Sequence, residues 1–277
     1  MNVYDVITSR ILENLDKGVI PWRKPWVGGG APKNFVSKKE YRGINVWLLS
    51  SGGFTSPYWL TFKQAGDAGG HIRKGEHGSP CIFWKFRDAK EDDAAEDRPA
   101  PILRYYTVFN LSQCEGIADP DPVEAFPVDP IPAAEGIVTG YTGAPPVTHK
   151  GGRACYSPMI DTVSMPARES FPNQAEYYST LFHEFGHSTG HESRLNRKGA
   201  DAVAAFGGQS YSREELVAEM AAAYLCGTAG IENATLENSA AYIAGWRSHL
   251  KSDPKCVIIA AAQGQKAADW ILGKREG

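Results

Sequence analysis

The sequence His183-Glu184-Phe185-Gly186-His187 restricts what this chain can fold into more than any other part of it. Two imidazoles four residues apart can meet one ion when the backbone between them is helical, because one helical turn returns nearly to the same face. This is the H-E-x-x-H spacing of metallopeptidase helices, in which the histidines hold the metal and the glutamate addresses water beside it. Such a helix supplies only two ligands. The chain must then reverse and deliver a third, leaving a fourth position open for hydrolysis. Leu181, Phe182 and Phe185 supply the apolar side that anchors the helix.

The third ligand is expected from SREELVAEMA at 212–221, which follows a Gly- and Ser-rich stretch and reads as a helix capped by Ser212. Glu215 is the expected ligand. Glu219, one turn further, is placed to accept the outward ring N–H of a ligand histidine. Glu214 and Glu219 are the alternative carboxylates for coordination. His191, another turn along the face of His183 and His187, is a candidate partner for a carboxylate or a substitute ligand. The extended pattern H-E-x-x-H-x-x-G-x-x-H is not met, because Gly190 is present but Ser193 stands at its last position. Zinc is the expected ion, with Mn(II) or another divalent ion as the alternative. Glu184 is the expected general base for amide hydrolysis. Tyr211 and Tyr224 are candidate oxyanion donors that spacing cannot separate. Residues 154–163 read either as an exposed strand edge that a substrate chain can join or as an internal strand.

The amino-terminal part has a different character. Residues 1–90 carry 14 Lys/Arg against 7 Asp/Glu, and residues 91–136 carry 2 against 11, so a basic module precedes an acidic connector. Five of the seven tryptophans (Trp22, Trp26, Trp47, Trp59, Trp84) lie in the first 84 residues among lysines and arginines. Rings that stack on bases beside cations that track phosphates suit single-stranded nucleic acid. The candidate contacts are Trp22, Arg23, Lys24, Trp26, Lys38, Lys39, Tyr41, Arg42, Arg73 and Lys74. The competing expectation is that several of these tryptophans are core. GGHIRKGEHG at 69–78 lacks the Lys-Ser/Thr ending of a Walker loop, which argues against a nucleoside-triphosphate pocket.

Apolar periodicity predicts a helix from Val3 to about Leu15, stopped at Lys17–Gly18, and Thr61 is a predicted cap for a helix over 62–69. Residues 80–87 and 103–110 read as strands. The Pro- and acid-rich stretch from Glu115 to about Gly136 is expected to interrupt regular structure and marks the boundary between domains at 1–130 and 131–277. The long helical half begins near Phe171. The fold class is therefore α+β. Five dispersed cysteines without a CxxC pair favour free thiols in a reducing compartment. No apolar run reaches the length of a membrane span, so the expectation is a cytoplasmic chain with no membrane partner.

IPWRKPW at 20–26, YRGINVWLL at 41–49, the TFKQA segment from Thr61, GGHIRKGEHG at 69–78, and HEFGHSTGHESRLNR at 183–197 followed by EELVAEMAAAYL together resemble the ArdC family of antirestriction proteins. The resemblance spans nearly the whole chain. It implies a single-stranded-DNA-binding α+β amino-terminal domain, a zincin-like carboxy-terminal domain similar to small gluzincins, and protection of incoming DNA from restriction during conjugation. It maps His183 and His187 to the ligand pair, Glu184 to the catalytic glutamate and Glu215 to the downstream ligand. Phe185 and Gly186 differ from the familiar HELxH form. Two functions compete: a DNA-binding zinc peptidase that cleaves an unidentified protein, and a DNA-shielding protein whose zincin half is structural or regulatory. The oligomeric state is not legible.

Overall fold

The structure is a computed structural model that describes residues 2–22, 30–85, 101–120, 130–149, 152–197, 213–231 and 240–274. Helix α1 (Val3–Asp16) starts where Asn2 and Asp5 cap each other, each side chain accepting from the other's backbone amide at 2.9 and 3.2 Å. It stops at Gly18, whose φ of +74° favours glycine. Helices α2 (Ile44–Ser50) and α3 (Phe62–Asp67) follow, and Thr61 caps α3 by accepting from the Gln64 amide.

Strands β1 (Lys33–Asn34), β2 (Tyr58–Leu60), β4 (Ser79–Lys85) and β5 (Ile102–Asn110) form one sheet in the order β1-β2-β5-β4. Its long antiparallel ladder, β4 on β5, runs from Ser79 opposite Val108 to Lys85 opposite Ile102. β3 (His71–Ile72) and β6 (Cys114–Glu115) make a separate two-stranded pair.

Beyond the acidic stretch lie α4 (Pro130–Gly140) and a three-stranded sheet of β7 (Val147–His149), β8 (Cys155–Ser157) and β9 (Thr162–Met165) in the order β7-β9-β8. Then come α5 (Gln174–Ser188), α6 (Arg213–Ala229), α7 (Ala240–Ser252) and α8 (Cys256–Ile271). The start of α4 falls inside the stretch expected to be irregular. Pro130 and Pro132 sit in its first turn, where helix amides have no intrahelical partner and proline costs nothing.

The largest apolar cluster takes side chains from both sides of residue 130. Ile7, Ile11 and Leu15 of α1, Trp22, and Trp47 of α2 join Tyr224, Trp246 and Leu250 of α6 and α7. Trp22 meets Trp246 edge-on at 6.2 Å, Trp47 lies 4.5 Å from the ring of Tyr224, and the Tyr224 hydroxyl donates to the Gly43 carbonyl at 2.8 Å. The tryptophans at 22, 47 and 59 are therefore core, with exposures of 0%, 0% and 2%. Each buried ring of this size contributes several kcal/mol in order of magnitude.

Helix α6 lies between α5 and α8 at backbone distance, and glycine makes this approach possible. A Cβ at Gly186 of α5 would stand 3.0 Å from the Ala218 Cα, and one at Gly264 of α8 would stand 2.8 Å from the Met220 Cβ. These two close approaches fix α6, and the carboxylates it carries, against the H-E-x-x-H helix.

Candidate metal centre

Asn173 caps α5 by accepting from the Glu176 amide, and the helix then runs unbroken through His183, Glu184 and His187. Its apolar side buries Leu181, Phe182 and Phe185 at 1% exposure or less. The two imidazoles turn to one side, with His183 Nε2 and His187 Nε2 3.1 Å apart. From α6, Glu215 presents Oε1 at 3.1 Å from His183 Nε2 and Oε2 at 3.5 Å from His187 Nε2.

Two imidazole nitrogens and one carboxylate suit a borderline divalent cation. Their separations match the ~3.3 Å edge of a tetrahedron whose metal–ligand bonds are ~2.0–2.1 Å. Among the described residues, this is the one group of three or more His, Cys, Asp and Glu side chains arranged to hold a metal. Burial disfavours charge on both rings, but Glu215 outweighs it at His183, and Glu214 with Glu215 hold His187 up to about 10. Burial also opposes ionisation of Glu215, yet the two histidines keep it well below the usual carboxylate range. A pocket that attracts protons this strongly is a pocket poised for a cation. Glu184 is 8% exposed on the same helix and adds to the attraction felt by both rings.

The surrounding carboxylates correct the sequence reading. Glu219 does not receive a histidine N–H. Its Oε2 accepts from Trp22 Nε1 at 2.8 Å and from the Tyr242 hydroxyl at 2.6 Å, deep in the shared core. Glu214 lies beside the ring instead, 3.8 Å from His187 Nδ1, and is forked by Arg197. His191 also turns away, its Nδ1 pairing with Ser193 Oγ at 2.8 Å, so it neither joins the cluster nor supports a ligand. Tyr224 spends its hydroxyl on Gly43, which removes it as an oxyanion donor. Tyr211 and Ser212 lie outside the described residues.

Sequence reasoning missed two arginines just past α5. Arg197 binds Glu214 together with the Gly186 carbonyl at 2.9 Å and Thr189 Oγ1 at 2.6 Å. Arg194 donates to the Ser188 carbonyl at 2.7 Å and to the Tyr156 hydroxyl at 3.1 Å, and it pairs with Asp161. It thereby fastens the β8–β9 turn to the end of α5. The only signal in the sequence is the pair of arginines spaced three apart after a helix.

Glu219 gives a pH-dependent test. Burial pushes its carboxyl up to about 7, against the pull of the Tyr242 and Trp22 hydrogen bonds. An unfolded glutamate loses its proton near pH 4.3, so between about pH 4.5 and 7 the folded chain holds the extra proton and stability falls as pH rises. The loss across that window is about 2–4 kcal/mol. Glu219→Gln keeps the acceptor and the volume but not the proton, so its urea-unfolding free energy is expected to vary less than the parent's between these pH values. Equal slopes would refute the burial cause.

The nucleic-acid candidates divide. Trp22 is fully buried and bonded to Glu219, so it cannot stack on a base. Tyr41 is half-buried against the Leu49 and Trp59 cluster, and Arg42 pairs with Asp269. Lys38 is exposed, with its ammonium 4.4 Å from the Tyr58 ring centre, and Arg73 pairs with Glu76 at 2.7 Å. Lys39 and Lys74 are exposed. Arg23, Lys24 and Trp26 lie outside the described residues. No described helix is long and apolar enough to cross a membrane.

Comparison with known proteins agrees with this fold. The sequence pattern of the N-terminal domain of anti-restriction factor ArdC matches residues 1–109, and that of a zincin-like metallopeptidase matches residues 132–263. Two DNA primases TraC of Escherichia coli are 35% and 34% identical over 97% of this chain, which spans 20% and 27% of their lengths. The chain is 33% identical to protein y4eC of Sinorhizobium fredii, covering 98% of itself and 91% of that protein. Crystal structures of the antirestriction ArdC protein from plasmid R388, metal-free and Mn(II)-bound, superpose with a TM-score of 0.79 at 33% identity, covering 99% of this chain and 98% of theirs.

Proposed function

We propose, for a chain that belongs to the ArdC antirestriction family, that it hydrolyses peptide bonds in a protein substrate at a zinc centre held by His183, His187 and Glu215, and that it also binds single-stranded DNA. The observation that carries the peptidase reading is the convergence of those three side chains beside Glu184. The Mn(II)-bound relative supports Mn(II) as an alternative occupant. The cytoplasm, including that of a recipient cell during conjugation, is the compartment in which the family role would be played.

A divalent ion in this set supplies Lewis-acid polarisation of the scissile carbonyl and acidifies water. The protein's own groups do the rest. Glu184 takes a proton from the attacking water and returns it to the leaving amide nitrogen, which regenerates its carboxylate. Glu215 and the two imidazoles hold their donors in place, and Arg197 with Glu214 fixes the side of His187. The outer edge of β8 is unpaired among the described strands and packs near α5, so an extended substrate can add to it through main-chain hydrogen bonds. Recognition of that kind needs little side-chain selectivity.

The test is cleavage of unfolded β-casein by the full chain. Cleavage is expected with Zn(II) or Mn(II), is expected to stop with a chelator, and is expected to return when metal is restored. Metal-loaded protein that leaves β-casein and other denatured proteins intact would favour the reading in which the zincin half is structural or regulatory.

A further inference from the structure

With Trp22, Trp47 and Trp59 in the core, any stacking surface must lie elsewhere. Phe83, Trp84 and Tyr105 are 43%, 45% and 50% exposed, and they cluster at the outer end of the β4–β5 ladder. There Phe83 faces Arg104, Trp84 faces Leu103, and Ile82 faces Tyr105. Strand alternation puts Trp84 and Tyr105 on one side and Phe83, Lys85 and Arg104 on the other. β2 pairs only with the Phe109–Asn110 end of β5, so this outer half is two strands wide among the described residues. A single exposed ring is ordinary, but Trp84 and Tyr105 stand exposed at neighbouring positions on one face of the ladder, with Phe83, Lys85 and Arg104 on the opposite face.

Trp84 borders a cavity of about 200 Å³ between β4, the start of α2, and α8. Ile44, Ile82 and Ile258 give it apolar walls, while Arg42, Gln265 and Lys266 give it a polar and cationic rim. None of its described lining residues is a carboxylate. The Asn45 side chain bonds both the amide and the carbonyl of Ile82, which holds that wall rigid. Asp269 anchors Arg42 at the rim. One turn beyond the exposed Lys266, on the same side of α8, Trp270 is 41% exposed.

We propose that this groove receives an unstacked base of a single-stranded nucleic acid, with Trp84 as the stacking face and Lys266 beside the phosphates. Charge and shape agree: the groove offers an aromatic ring, apolar walls and the exposed Lys266 at a rim where Arg42 is held by Asp269. A base paired within a duplex has no free face to give it. The groove takes walls from both ends of the chain, because Lys266 comes from α8, so residues 1–130 alone do not complete it. The assignment rests on the single-stranded-DNA half of the proposed function and makes Trp84 of the β4–β5 ladder, in place of the buried Trp22, its aromatic contact.

The experiment is fluorescence anisotropy of labelled oligo(dT) titrated with the full chain at low salt. Trp84→Ala is expected to weaken binding about tenfold. Lys266→Glu is expected to weaken it and to lower the slope of log affinity against log salt by about one. Phe62→Ala, at an exposed ring on α3, is expected to change nothing. Parent protein that does not bind oligo(dT) would remove the single-stranded-DNA reading itself. Parent protein that binds while Trp84→Ala and Lys266→Glu bind equally well would overturn this groove alone. A duplex bound as tightly, and equally weakened by Trp84→Ala, would overturn base stacking. Acylation footprinting of the unmodified protein avoids any folding defect: oligo(dT) is expected to protect Lys266, and undiminished labelling at saturation would overturn the groove.

Discussion

Glu184→Gln is expected to lower peptide-bond hydrolysis by about 10²–10⁴-fold while metal content and thermal unfolding stay those of the parent. The reason lies in what the substitution leaves alone. Glu184 is buried on α5 between His183 and Phe185, and glutamine fills the same volume. His183, His187 and Glu215 keep their positions, since none of the hydrogen bonds among them passes through residue 184. What disappears is a carboxylate able to take a proton from water and hand it on to the leaving nitrogen. Metal analysis of the same preparation used for turnover makes the result decisive. Full turnover in the metal-loaded variant would strip Glu184 of its role. Loss of turnover together with loss of metal would make it a retention residue instead.

The sequence made some of this arrangement legible for physical reasons. The facing of His183 and His187 follows from helical pitch alone, and the cap at Thr61, the stop at Gly18 and the β4 and β5 strands follow from local chemistry. What was not legible depended on partners far away in the chain. Glu214, Glu215 and Glu219 share one helix, and nothing local distinguishes their tasks. Glu219 is claimed by Trp22, 197 residues earlier, and Glu214 by Arg197 from the turn after α5. Trp22 and Trp47 depended on distant partners in the same way: interleaved lysines suggested a surface, yet these two rings fill a core completed by α6 and α7, the competing expectation for them. Gly186, a departure from the familiar motif when read as sequence, is the residue that lets α6 approach closely enough for Glu215 to reach both imidazoles.

Arg197→Ala is expected to destabilise the fold by about 3–5 kcal/mol near neutral pH, the usual loss when one partner of a buried ion pair is removed. Both partners are buried, with Arg197 7% and Glu214 8% exposed at the side chain. The variant loses the fork on Glu214 and also the donors to the Gly186 carbonyl and Thr189 at the end of α5. Lysine is expected to recover only part of this, because a single ammonium cannot span the carboxylate and the helix carbonyl together. The acid dependence has a definite sign. Burial pushes the Glu214 carboxyl up, but His187 and Arg197 hold it below its ordinary value. Its contribution is therefore present above the unfolded glutamate pKa and is lost as pH falls through the lower folded one. The deficit of Arg197→Ala should accordingly shrink in acid, where an unpaired Glu214 takes up a proton. Replacing Arg197 and Glu214 together by apolar residues should cost less than the sum of the two single changes, because no buried charge is left alone. Chemical denaturation of all three variants across pH decides the matter, and strictly additive losses with no narrowing in acid would show that Arg197 stabilises α5 without stabilising Glu214.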